Sequence, residues 1–215
     1  MAQRHPHAEQ ALATDGELLT NAEAAVIIIH GRGGTNHQAL SLIDHVGVEG
    51  VAYLAPQAAD YTWYPHRFLV PRAHNEPHLS SALQVIDSLV SEIVTNGIAT
   101  HKIVLMGFSQ GACLAAEYVA RNPKRFGGLI VFSGGLIGTD EELTGYSGSL
   151  DQTPVFIGCS DVDFHIPVER VHQTAEIFGQ LEAEVEARIY PGMGHTINQD
   201  ELDYARDILR RVVQN

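Results

Sequence analysis

Positive charge is scarce in this chain: 13 Lys and Arg stand against 26 Asp and Glu across 215 residues, for a net charge of −13 with histidine neutral. A surface of that sign repels phosphate backbones and anionic bilayers, so nucleic acid and stable membrane insertion drop out as expected partners. Cysteine is scarce too. Cys113 and Cys159 each lie in an apolar run and read as small core residues rather than as a disulfide, which fits a reducing, cytoplasmic setting. Long hydrophobic runs are missing: AAVIII, residues 24–29, is far too short to span a bilayer, and the opening MAQRHPHAEQ has no secretory-signal pattern. Internal repeats, low-complexity tracts and linkers are absent as well. Residues 1–215 therefore read as one domain, with roughly 1–20 as a loosely attached N-terminal segment. His74 and His78 stand four apart, but Pro77 breaks a helical turn through both and no acid or cysteine cluster supports them, so no metal is expected.

Hydrophobic residues make up 45% of the chain, enough for one sizeable core. They fall into short β-branched runs: AAVIIIHG, VAYLAPQ, KIVLMGF, GGLIVFSG, PVFIGCS and EVEARIYPG. Continuous rather than alternating apolarity marks strands buried on both faces. Between the strands lie helical patterns. In EPHLSSALQVIDSLVSEIVTNG, Leu79, Leu83, Ile86, Val90 and Ile93 recur at three- and four-residue spacing, with Pro77 at the start and Gly97 as the stop. PVERVHQTAEIFGQL and NQDELDYARDILRRVV predict two more helices. The alternation predicts an α/β fold, a mainly parallel sheet with helices on both faces. QAADYTWYPHRFLVPRAHNEP has no period and follows a strand, so it is expected as a long loop at the strands' C-terminal ends, where such folds bind ligands.

Gly107-Phe108-Ser109-Gln110-Gly111 joins a strand directly to a helix. A GxSxG match alone is weak, but strand–turn–helix is the context a nucleophilic serine needs. The glycines permit the tight turn, and the helix N-terminus favours developing negative charge. A serine hydroxyl needs a base, and the base needs an orienting carboxylate. His195 alone of the 12 histidines follows the last predicted strand, in YPGMGHTINQDEL. Two acids follow the preceding strand. Asp161 has the Gly-x-x-Asp spacing from Gly158, and Asp163 the spacing to Ile166-Pro167; Asp163 is favoured because Pro167 anchors the next helix. For the oxyanion, the backbone N–H of Gln110 and that of Arg32, in the glycine-rich HGRGGTN, are the candidate donors, so the identity of the Arg32 side chain matters less than its N–H. Trp63, Tyr64 and Phe68 are candidate walls of a substrate pocket, and His165 borders the proposed acid.

These segments together resemble the phospholipase/carboxylesterase family of α/β-hydrolases, relatives of the acyl-protein thioesterases. IIIHGRGG resembles the family's oxyanion loop, GFSQGACLA its nucleophile elbow, VFSGGLIG the segment after the next strand, DFHIP the acid loop and GMGHTI the histidine loop. The resemblance implies an α/β-hydrolase fold without a separate cap domain. It also implies a cofactor-free serine esterase acting on a small-molecule ester through an acyl-enzyme, with small or medium acyl chains expected. A thioesterase or lysophospholipase using the same residues is the nearer alternative. A catalytically silent hydrolase-fold binding protein is the distant one, disfavoured by the intact Ser, His and acid set. Phe164 departs from the Pro that many relatives carry after the acid, and the acid loop is longer, which weakens any transfer of thioesterase specificity. The sequence leaves a homodimer open.

Overall fold

The computed structural model describes residues 5–214. Seven strands, β1 (Leu12–Gly16), β2 (Ala24–Ile29), β3 (Val51–Pro56), β4 (Ile103–Phe108), β5 (Gly128–Phe132), β6 (Pro154–Ser160) and β7 (Glu184–Tyr190), form one sheet in the order β1-β3-β2-β4-β5-β6-β7. Only β1 runs antiparallel to its neighbour; the remaining pairings are parallel. Helices α1 (Asn36–Leu40), α2 (Ile43–Val46), α3 (His78–Thr95), α4 (Gln110–Arg121), α5 (Val168–Gln180) and α6 (Gln199–Gln214) cover both faces. This is the α/β-hydrolase arrangement, with the sheet buried from both sides.

Period-two geometry sorts the apolar runs between two cores. From β2, Ala25, Ile27 and Ile29 pack under α3 and α4, while Val26 and Ile28 pack under α1 and α6. That is why AAVIII is apolar throughout. The N-terminal segment departs from expectation: residues 12–16 pair with β3, and His7 is 1% exposed. Its ring is bonded on both sides, Nε2 to the Trp63 carbonyl at 3.0 Å and Nδ1 accepting from the Ala59 N–H at 3.0 Å. The sequence hid this because LATDG is short and half polar. The segment is a sheet edge rather than a loose leader; residues 1–4 lie outside the described range. Among the described residues no helix is long and apolar enough to cross a membrane.

The parallel strands end together at one edge of the sheet. There β2, β4, β6 and β7 release the loops carrying Arg32, Ser109, Asp163 and His195.

Candidate active site

Ser109 follows β4 directly and sits at φ 55°, ψ −119°, a left-handed conformation that costs a non-glycine residue about 1–3 kcal/mol. The flanking glycines are required by close approach. A Cβ on Gly111 would stand 2.1 Å from the Ile29 carbonyl oxygen, and one on Gly107 would stand 2.5 Å from the Gly111 backbone. The strained turn lifts the Ser109 hydroxyl out of the sheet edge, and α4 begins at the next residue.

His195 meets that hydroxyl. Its Nε2 lies 2.9 Å from Ser109 Oγ and its Nδ1 lies 2.6 Å from Asp163 Oδ2. With Nδ1 protonated toward the carboxylate, Nε2 is left to accept from the serine. The Asp163 side chain is fully buried. Its other oxygen accepts from the backbone N–H groups of His165 at 2.8 Å and Ile166 at 3.1 Å, and the Cys159 thiol approaches Oδ2 at 3.8 Å. Burial pushes this carboxyl up, but the bonds from His195, His165 and Ile166 outweigh it and hold it below the usual carboxylate range.

Asp161 does something else. Its Oδ1 accepts from the Gly192 N–H at 2.7 Å, which ties the acid loop to the histidine loop. That loop is clamped at alternate residues. Ser160 Oγ accepts from Gly194 N–H at 3.0 Å, Ser133 Oγ donates to the Thr196 carbonyl at 3.5 Å, and Glu201 Oε2 accepts from Asn198 N–H at 2.8 Å. Ser133, Ser160 and Glu201 are each fully buried. None of these three was recognised in the sequence, since a clamp made of side chain to backbone bonds leaves no spacing motif.

The Gln110 N–H opens α4 and has no intrahelical acceptor by position. The Arg32 N–H has no hydrogen-bond partner among the described residues. Both residues line the Ser109 cleft. The Arg32 side chain, ranked below its own N–H from sequence, has a structural part of its own. Its guanidinium donates to the carbonyls of Tyr64, Pro65 and His66 at 2.8, 3.1 and 2.8 Å and to Thr62 Oγ1 at 2.9 Å. Buried Gln110 grips the same loop, its side chain accepting from Trp63 N–H at 2.9 Å and donating to the Tyr64 carbonyl at 2.9 Å. Two residues proposed for their backbone amides thus also use their side chains to fix the cleft wall.

The cleft has a volume of about 860 Å³. Tyr64 and Phe68 line it, and so does His165, whose exposed ring stands edge-on to His195 at 4.7 Å between centroids. Trp63 does not line it. The indole is fully buried between the rings of His7 and His30, with Nε1 donating to the His30 carbonyl at 2.9 Å, so it is core rather than pocket wall. Its N–H finds a partner only inside. Ala39, Leu42, Phe108 and Ile197 line the cleft as well and were not foreseen; Ala39 lies in α1, which carries too few residues to show a period. Cys113 also lines the cleft, but burial pushes its thiol up to about 12, so it offers no thiolate near neutral pH.

The family model described as Phospholipase/Carboxylesterase matches residues 19–213. A phospholipase/carboxylesterase crystal structure from Dyadobacter fermentans is 41% identical, covers 94% of this chain and 97% of its own, and superposes with a TM-score of 0.90. An acyl-protein thioesterase 1 of Gibberella zeae is 26% identical over 87% of this chain and 90% of its own length. A probable carboxylesterase of Arabidopsis thaliana, SOBER1-like, is 26% identical over 66% of this chain and 54% of its own.

Proposed function

This chain belongs to the phospholipase/carboxylesterase family, and on that premise we propose that it is a serine carboxylesterase working through an acyl-enzyme on Ser109. The observation that carries the reading is the bridging imidazole: one ring nitrogen on the Ser109 hydroxyl at 2.9 Å, the other on a buried, bonded carboxylate at 2.6 Å. His195 Nε2 takes the hydroxyl proton as Oγ attacks the ester carbonyl carbon. The new oxyanion is received by the N–H groups of Gln110 and Arg32, assisted by the α4 N-terminus. The imidazolium, stabilised by Asp163, then protonates the leaving alkoxide. Water, deprotonated by the same imidazole, attacks the acyl-enzyme and frees Ser109.

A thioester is opened by the same steps, since only the leaving atom changes. The Gibberella zeae relative, named an acyl-protein thioesterase, makes thioesterase activity the second reading. Hydrolysis of p-nitrophenyl esters from acetate to palmitate separates the two: preference for short chains supports the esterase, and preference for long chains the thioesterase. In either case Ser109→Ala is expected to lower kcat by about 10⁴- to 10⁶-fold. Turnover within tenfold of wild type in that variant would sink both.

A further inference from the structure

The cleft differs in charge from the molecule around it. Of 215 residues 26 are Asp or Glu, yet none lines the cleft. Both arginines that line it, Arg32 and Arg67, lack a carboxylate partner. The Arg32 charge is met only by carbonyl and hydroxyl dipoles. Arg67 is exposed at the rim, and among the described residues it alone of the Lys and Arg side chains has no hydrogen bond, ion pair or ring contact. Every other such side chain is engaged. Arg72 and Arg121 meet Glu117, Arg170 meets Asp140, Arg188 meets Asp200, Arg206 meets Asp203 and Arg210 meets Asp207. Lys102 and Arg125 donate to carbonyls, and Lys124 lies over the Phe126 ring. Lys102, Lys124 and Arg125 also meet no acid, but each has another partner, and Arg67 has none among the described residues.

A cation beside a cleft lined by no carboxylate, with Asp163 buried behind His195, raises the local potential and concentrates anions against the overall field of the protein. The guanidinium fork matches planar carboxylate and phosphate oxygens in a way a lysine does not. Exposed His66 and His165 also line the cleft and add donors but no negative charge.

We propose that the substrate ester carries an oxyanion, a carboxylate or a phosphate, close to its scissile carbonyl, and that Arg67 is the residue that receives it. The proposal rests on the serine-hydrolase reading and names its substrate class. It makes Arg67 a specificity-determining residue, acting on binding rather than on the chemical step.

Two substrate pairs test it at low ionic strength: monoethyl against diethyl succinate, with the charge on the acyl side, and acetoxyacetate against its methyl ester, with the charge on the alcohol side. In at least one pair the wild type is expected to show higher kcat/KM for the anion, with the advantage shrinking as salt is added. Arg67→Ala is expected to lower the anion-to-neutral ratio by about tenfold, mainly through KM, and Arg67→Lys to restore part of it. Arg67 has no side-chain partner to lose, so folding is not at stake. Stronger competitive inhibition by succinate than by inorganic phosphate marks a carboxylate subsite, and the reverse a phosphate subsite; either supports the proposal. No anion preference in both pairs, or a preference that survives Arg67→Ala, overturns it. Turnover of p-nitrophenyl acetate by the wild type, which needs Ser109 but no charge, separates that result from failure of the serine-hydrolase reading.

Discussion

Asp161 and Asp163 stand two residues apart in one loop, and their environments assign them opposite work. Asp163 is buried, holds His195 Nδ1 and is itself held by two backbone N–H groups; Asp161 is exposed and pins Gly192. Asp163→Asn replaces an acceptor by an amide and favours the wrong imidazole tautomer, so kcat is expected to fall by about 10³- to 10⁴-fold. Asp161→Asn removes one charge-assisted bond to a backbone amide and is expected to stay within about tenfold of wild type. Steady-state kinetics on p-nitrophenyl butyrate compare the two, and equal losses would reverse the assignment. Ser109 and His195 were legible because a strained elbow demands glycines and only one histidine follows the last strand. The acid was less so, because two spacing rules disagreed. The backbone bonds from His165 and Ile166 decide between them, seating Asp163 against the Pro167 end of α5. Trp63 was misread because an aromatic in an aperiodic loop can turn either way. Only the His30 carbonyl, unseen in sequence, decides that it turns in.

At the scale of elements, the N-terminus of α6 carries the least comfortable group in the site's support. Glu201 closes a reciprocal bond pair with Asn198, yet its Oε1 is buried without a partner over Gly158. Burial pushes its carboxyl up from the ordinary glutamate range to about 7. A raised glutamate means that the folded state holds its proton longer than the unfolded chain. Glu201 therefore costs nothing below the ordinary range, costs progressively more as pH rises toward 7, and costs its full amount above. A displacement of that size corresponds to up to about 3 kcal/mol. Glu201→Gln is expected to gain stability relative to wild type between pH 4.5 and pH 8 by up to that amount, read from urea midpoints at the two pH values. The same difference at both would show that the carboxyl ionises normally. Helices α3, α5 and α6 were legible from their patterns, and α4 from its place directly after the elbow. The five-residue α1 and four-residue α2 were not, since neither completes enough turns to show a stripe.

Across the whole molecule, the sheet order and its two cores follow from the apolar runs, and the edge does not. The antiparallel β1 and the described residues before it, from residue 5, seal one flank through His7, whose two ring nitrogens are satisfied only in the neutral form. Burial holds its pKa below the ordinary histidine range. The unfolded chain thus takes up this proton first, and the stability His7 confers is present above that range and lost as pH falls through the depressed value. His7→Ala strands the Trp63 carbonyl and the Ala59 amide beneath the cleft wall and is expected to cost about 2–4 kcal/mol at pH 8 in urea unfolding. A cost below about 0.5 kcal/mol, the size of an ordinary surface change, would return the segment to a loose leader.

Everything said of the cleft depends on Ser109 becoming covalently acylated. Intact-mass measurement of the protein quenched during turnover of p-nitrophenyl butyrate, followed by peptide mapping, tests this most directly. The expected result is a single butyryl adduct on the peptide containing Ser109, absent from Ser109→Ala and persisting longer in His195→Ala if it forms there at all. Full turnover with no adduct, or an adduct on another residue while Ser109→Ala remains active, would contradict it.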